Sequence, residues 1–264
     1  DKQQQGYPFL SEISRFRRRL SSGEVCIGPC ITFTDPTVTE ALCDSSDFVW
    51  IDTEHNPMNL ETVTTHLIAA RACGTAALVR LPTSETAYIK RVLDSGGGGV
   101  VVPQVRSADE VRRVVEDCRY PPLGSRGFGP RRPSNYARIT GDKYIQSMNE
   151  NVFVSVQIEN LDALHALDEI VTITGLDSIV IGPMDLSASM GLTGQISHPK
   201  VVKAIESIIF STLNAGLFVG IGLGMDLKLA RYWAQRGVQW IQLGSDFEYL
   251  TKQFDALRDG VRVC

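Results

Sequence analysis

Short apolar runs alternate with amphipathic segments along almost the whole chain. VCIGPCITF reads as a strand, and PTVTEALCDSS, with Pro36 in its first turn, as a helix. FVWIDTEH is the next strand and LETVTTHLIAARACG the next helix, stopped by Gly74. The pattern repeats through AALVRLP and SETAYIKRVLDSG, then GVVVPQV and SADEVRRVVEDCRY. The stretch from Phe153 to Ser187 holds two more apolar runs, VSVQIE and SIVIGP, separated by a helix-like segment. HPKVVKAIESIIFSTLNAG, the strand FVGIGL, the helix DLKLARYWAQRG, the strand WIQLGSD and the helix EYLTKQFDALRDGV complete the series. The strands are near-continuously apolar and no hairpin signal joins them, which predicts a parallel sheet buried on both faces. Eight strand–helix units predict an α/β fold of the closed (β/α)8 TIM-barrel type. No G-x-G-x-x-G follows the first strand, which argues against an open dinucleotide-binding sheet. One barrel domain is expected over residues 1–264, with a polar tail at 1–8 and the basic-faced helix LSEISRFRRRLSSG before the first strand.

Two stretches depart from this rhythm. Between Tyr120 and Lys143 runs PPLGSRGFGPRRPSNYARITGD, rich in Pro, Gly and Arg and without periodicity. It enters at the bottom of the barrel and would have to climb to reach the active face. Arg126, Arg131 and Arg132 are its candidates for recognising an anionic group on a substrate, from their own or an adjacent subunit; a solvated surface loop is the competing reading. The final helix carries Tyr249, Leu250, Phe254 and Leu257 as an apolar stripe wide enough to bury. Burial against its own barrel is the simple expectation.

Composition narrows the partners. The chain is 43% hydrophobic with a net charge of −4, so neither nucleic acid nor an anionic membrane surface is favoured. No apolar run is long enough to span a bilayer, and no cleavable signal pattern opens the chain. The six cysteines, at 26, 30, 43, 73, 118 and 264, include no C-x-x-C pair and read as buried reduced thiols. A cytoplasmic location is the expectation that follows.

Barrel active sites lie at the C-terminal ends of the strands, which turns the topology into a short set of candidates. Strand two ends in Asp52, Glu54 and His55, strand three in Arg80, strand four in Gln104, and strand five in Gln157 and Glu159. The turn after strand six supplies Gly182, Pro183, Met184 and Asp185, and strand eight ends in Gly244, Ser245 and Asp246. Glu159 and Asp185 end neighbouring units at one sheet edge, and two converging carboxylates suggest a hard divalent cation. Helix capping is the alternative use of such acids. Taken singly, His55 could also cap a helix, Arg80 pair with Glu54, and Gln157 fill a polar core layer.

VWIDTEHNPMN, LVRLP, RYPPLGSRGFGP, VQIEN and IGPMDLSASMG, in this order from about Ile27 to about Leu250, resemble the successive motifs of the HpcH/HpaI aldolases, the metal-dependent class II pyruvate aldolases. The resemblance implies a (β/α)8 barrel whose C-terminal helix is exchanged between subunits of a homo-oligomer, a hexamer or a dimer. It implies Mg²⁺, Mn²⁺ or Co²⁺ on Glu159 and Asp185, Arg80 on the 2-keto oxygen, and Gln157 supporting the metal site. His55 would serve acid/base chemistry, oriented by Asp52 or Asp94. Gly182, Pro183, Met184, Asp185 and Ser245 would line the substrate, with the N–H groups around Met184 and Asp185 on its carboxylate. The substrate implied is a small 4-hydroxy-2-keto acid, as in 4-hydroxy-2-oxoheptanedioate aldolase, cleaved to a pyruvate enolate, with oxaloacetate decarboxylation through the same enolate. Macrophomate synthase is a more distant likeness; it has His where this chain has Gln104, so its cycloaddition chemistry is not implied. A phosphoenolpyruvate-type or acyl-CoA lyase, similar to citrate lyase, is the alternative on the same barrel, and a catalytically idle interaction protein is the third reading.

Overall fold

A computed structural model of the chain describes residues 10–262. The polar tail 1–8 and Cys264 lie outside the described residues. Helix α1 (Ser11–Ser21) precedes β1 (Cys26–Ile31), α2 (Pro36–Cys43), β2 (Phe48–Asp52), α3 (Leu60–Ala72), β3 (Ala76–Arg80), α4 (Thr86–Asp94), β4 (Gly99–Val102) and α5 (Ala108–Cys118). The second half runs α6 (Asp142–Asn151), β5 (Phe153–Ile158), α7 (Leu161–His165), α8 (Leu167–Ile170), β6 (Ser178–Ile181), α9 (Pro183–Ser189) and α10 (Pro199–Asn214). It ends with β7 (Phe218–Leu223), α11 (Leu227–Ala234), β8 (Trp240–Ser245) and α12 (Asp246–Arg262). The strands pair in sequence order, all parallel, and β8 closes on β1, so the fold is a (β/α)8 barrel.

Local chemistry sets where the helices begin. Asp35, Asn59, Ser107, Asn160 and Asp226 each accept a backbone N–H from the first turn of the helix that follows. These caps all sit beyond strand C-termini, so helices start at the top rim and run back down.

The lumen is filled by Phe48, Trp50, Phe153 and Trp240. Gly220 makes this possible, because a Cβ there would lie 2.1 Å from Trp240 Cε2. α1 closes the bottom with Ile13, Phe16 and Leu20. Arg17 latches it in place, donating Nη1 to Asp177 Oδ1 at 2.6 Å and Nη2 to Val152 O at 2.8 Å.

Several expectations are revised. An extra helix, α6, stands between the Arg-rich insertion and β5. The segment after β5 is two short helices broken at Ala166. Cys26, Cys30, Cys43 and Cys118 are buried as read, but Cys73 is exposed. The insertion does not climb. Arg126 Nη2 donates to Asp94 Oδ1 at 2.7 Å and Arg132 Nη1 to Ser95 O at 3.0 Å, holding the loop against the lower end of α4. α12 does not bury its stripe on its own barrel, for Leu250, Phe254 and Leu257 are all exposed. Beside its first turn an apolar groove of about 390 Å³ stays open between α2 and α11, lined by Ile27, Leu42, Met225, Leu227, Leu243 and Tyr249.

Candidate active site

Two linked clusters meet at the top of the barrel. The first grows from β2 and β3. Asp52 is buried, and its Oδ1 accepts Arg80 Nε at 2.8 Å and the Glu54 backbone N–H at 3.0 Å. The Asn56 side chain donates to Asp52 O at 2.6 Å, and both the N–H and the hydroxyl of Thr53 donate to Arg80 O. The turn from Asp52 to Asn56 is thereby tied to the end of β3. Arg80 Cζ lies 5.3 Å from the Trp50 ring centroid, so the guanidinium rests on the aromatic floor of the lumen. Glu54 Oε2 is 3.1 Å from Arg80 Nη1, an ion pair, and 3.7 Å from His55 Nε2, neither with hydrogen-bond alignment. The His55 side chain is 62% exposed on the rim.

The second cluster grows from β5. Glu159 is 1% exposed. Its Oε1 accepts the backbone N–H of Gln104 at 2.7 Å, and its Oε2 accepts Gln157 Nε2. Gln104 presents that N–H from a φ of 55°, a left-handed conformation that costs a non-glycine residue about 1 kcal/mol. Gly182 lies so close that a Cβ there would fall 2.6 Å from Glu159 Oε2 and 2.7 Å from Gln157 Nε2. Pro183 opens α9, whose first turn carries Asp185. Met184 and Asp185 are exposed, and Gln157 Oε1 is buried with no hydrogen-bond partner among the described residues.

Electrostatics joins the clusters. Burial pushes the Glu159 carboxyl up to about 7; the Gln104 N–H opposes this, and the nearby charges of Glu54 and Asp185 add to it. Glu54 is raised in the same way, by burial first, with Arg80 and His55 opposing and Asp52 and Asp185 adding. A patch with this much carboxylate and one guanidinium favours a bound cation. Among the described residues no group of three or more His, Cys, Asp or Glu side chains forms a closed metal cage.

Asp52, Arg80, Gln157, Glu159, Gly182, Pro183 and Asp185 thus share one end of the lumen. Ser245 stands at the same end on β8, its hydroxyl against the Cys30 thiol and its N–H on Glu248 Oε2 at 3.0 Å. Asp246 is a structural clamp, accepting the N–H groups of Thr32 and Phe33. Among the described residues, neither acid expected to orient His55 pairs with it in the same chain. The carboxylate of Asp52 is engaged by Arg80, and the acid facing His55 is Glu54. Asp94 ends α4 at the opposite end of the barrel, where it binds Arg126. The contribution of Gln104 is also of another kind than its strand-end position suggests: its backbone N–H, not its exposed side chain, reaches the site. The Pro103-Gln104 break at the end of the β4 run is the only sequence signal for it.

Comparison with known proteins gives a consistent result. A family model described as HpcH/HpaI aldolase/citrate lyase matches residues 33–252. The hydroxypyruvate/pyruvate aldolase of Roseovarius nubinhibens is 36% identical over 240 residues, covering 90% of this chain and 92% of that protein. The 4-hydroxy-2-oxo-heptane-1,7-dioate aldolase of Shigella sonnei is 36% identical over 245 residues, 92% of each chain. Among solved structures, an HpcH/HpaI aldolase/citrate lyase family protein from Burkholderia cenocepacia superposes with a TM-score of 0.88 at 29% identity, covering 93% of this chain and 98% of the other.

Proposed function

Because the chain belongs to the HpcH/HpaI aldolase/citrate lyase family and is a carbon–carbon lyase, we propose that it cleaves and forms 4-hydroxy-2-keto acids through a pyruvate enolate, with a divalent cation on Glu159 and Asp185. The observation that carries this reading is the meeting of buried Glu159, the neighbouring Asp185 charge and a clamped Arg80 at one strand edge. The donor set is all oxygen, and Gln157 Oε1 is a buried acceptor without a partner among the described residues, which suits Mg²⁺, Mn²⁺ or Co²⁺. Both Glu159 oxygens accept one hydrogen bond each, which leaves lone pairs for the cation. When bound, the cation supplies Lewis-acid polarisation of the keto oxygen and charge balance for the buried carboxylates.

In this reading the chain's own groups divide the remaining work. Arg80, held on Nε by Asp52 and beside Glu54 on Nη1, turns the rest of its guanidinium toward the negative charge developing on the 2-keto oxygen. The N–H groups of Met184 and Asp185, together with Gly182, Pro183 and Ser245, border the substrate carboxylate. His55 takes the proton of the C4 hydroxyl as the C3–C4 bond breaks. The bond's electron pair becomes the enolate, the aldehyde leaves, and the proton on His55 is then available for C3. Synthesis runs these steps backwards. In oxaloacetate the C3–C4 electron pair is released by loss of CO₂, so the same enolate forms without a proton being taken from a hydroxyl.

An acyl-CoA substrate, as for a citrate lyase, needs a basic groove for the nucleotide near the rim. Arg126 and Arg132 are held at the other end of the barrel, which supports the keto-acid reading instead. The test is proton NMR of pyruvate in D₂O. Methyl exchange is expected with wild-type protein and Mg²⁺ or Mn²⁺, and its loss with chelator or with Glu159→Gln. Exchange that survives both at the full rate would remove the metal from the mechanism.

A further inference from the structure

Cys43 is the last residue of α2, and Cys73 caps α3, the helix packed beside it. The C-terminal ends of the two packed helices lie side by side, which makes these two cysteines neighbours. The turn after α3 fixes this approach: two residues beyond Cys73, Thr75 Oγ1 donates to Cys43 O at 3.4 Å, and Thr75 itself is buried. The two thiols differ in access. Cys43 is 2% exposed, whereas Cys73 is exposed. The other described cysteines, Cys26, Cys30 and Cys118, are all buried.

We propose that Cys43 and Cys73 form a thiol–disulfide modification site, in which a small disulfide such as oxidised glutathione reacts at Cys73 and Cys43 resolves the adduct into an intramolecular bond. In the first step the Cys73 sulfur bonds to one glutathione sulfur. The glutathione S–S bond breaks, and the second glutathione leaves with the proton from Cys73. In the next step Cys43 attacks the Cys73 sulfur, the mixed disulfide breaks, and the other glutathione leaves with the proton from Cys43. Two protein thiols are oxidised and one glutathione disulfide is reduced to two thiols.

Access dictates this order, since a tripeptide disulfide can reach Cys73 and not Cys43. Burial also pushes the Cys43 thiol up to about 12, so at neutral pH it is a poor first nucleophile and acts second, on the sulfur of its neighbour. The bond would close a loop containing β2, whose end carries Asp52 and Glu54, and would protect the exposed thiol from irreversible oxidation. This inference is independent of the lyase chemistry.

The full chain is incubated with oxidised glutathione, remaining thiols are alkylated, and the protein is digested without reduction for mass spectrometry. The expected product shows the Cys43 and Cys73 peptides joined, with the loss of two hydrogens and no glutathione on either, and reverts with dithiothreitol. Cys43→Ser is expected to keep one glutathione on Cys73, and Cys73→Ser to remain unmodified at Cys43. Wild-type protein that accumulates glutathione on Cys73 without the internal bond would overturn the proposal. So would a Cys73→Ser chain modified at Cys43 as fast as wild type.

Discussion

A methyl group at position 182 would press on both Glu159 Oε2 and Gln157 Nε2, and neither can retreat, because both side chains are buried under the rim. Gly182→Ala should therefore displace the carboxylate while leaving the barrel folded. A loss of about tenfold to 100-fold in Mn²⁺ affinity is expected, the range for residues that orient a metal ligand. Unchanged affinity in a calorimetric titration would mean that Glu159 is not a ligand. The raised Glu159 pKa has its own signature in the metal-free protein. The native state keeps this proton to about 7, whereas the unfolded chain releases it near 4.5. Its contribution to stability is therefore fully present below the unfolded value and lost as pH rises through about 7. Melting curves of chelated wild type should fall relative to Glu159→Gln between about pH 5 and about pH 8, with added Mg²⁺ restoring wild type at the upper end. Parallel curves would contradict this.

At the scale of elements, the strand ends were legible because alternation of apolar runs and amphipathic segments is itself the barrel's signature. Asp52, Arg80, Gln157 and Glu159 follow from counting to the end of each run. Which acid faces His55 was not legible, since it depends on the turn from Asp52 to Asn56 and its backbone hydrogen bonds. That turn makes His55 testable. His55→Ala should lower aldol cleavage by about 10²–10⁴-fold while slowing oxaloacetate decarboxylation far less, because only the first takes a proton from a hydroxyl. Equal losses would assign His55 to binding. The insertion after α5 was legible as irregular but not as packed, because the buried Arg126 finds its partner, Asp94, in another helix and its ring, Tyr120, only through tertiary contact. Arg126→Ala should cost about 3 kcal/mol of stability by stranding Asp94, with no preference between dicarboxylic and neutral substrates. A selective rise in KM for dicarboxylic substrates at unchanged melting temperature would restore a recognition role. α6 was missed for a simpler reason: DKYIQSMNEN buries only Tyr144, Met148 and Asn149, too few apolar positions to mark a period.

For the whole molecule, α12 is the unfinished part of the architecture. Seventeen residues of helix bury only Asp246 against their own chain, while an apolar groove stands open between α2 and α11. A stripe of Leu250, Phe254 and Leu257 left in water is costly, and covering it with a second copy is the economical solution. Light scattering at micromolar concentration should give at least a dimer, and Phe254→Glu should shift it toward monomer. A wild-type monomer would exclude the exchange of this helix. The plug at the other end carries a different consequence, for the order in which the chain can become native. During synthesis α1 leaves the ribosome before any strand of the barrel, yet Arg17 reaches Asp177, 160 residues later. Its apolar face, Ile13, Phe16 and Leu20, must wait unshielded while most of the barrel is made, and the floor of the lumen is sealed late rather than early. A helix that emerges ahead of every strand is thus among the last to dock, and a nascent chain stalled before β6 should be the species most dependent on chaperones.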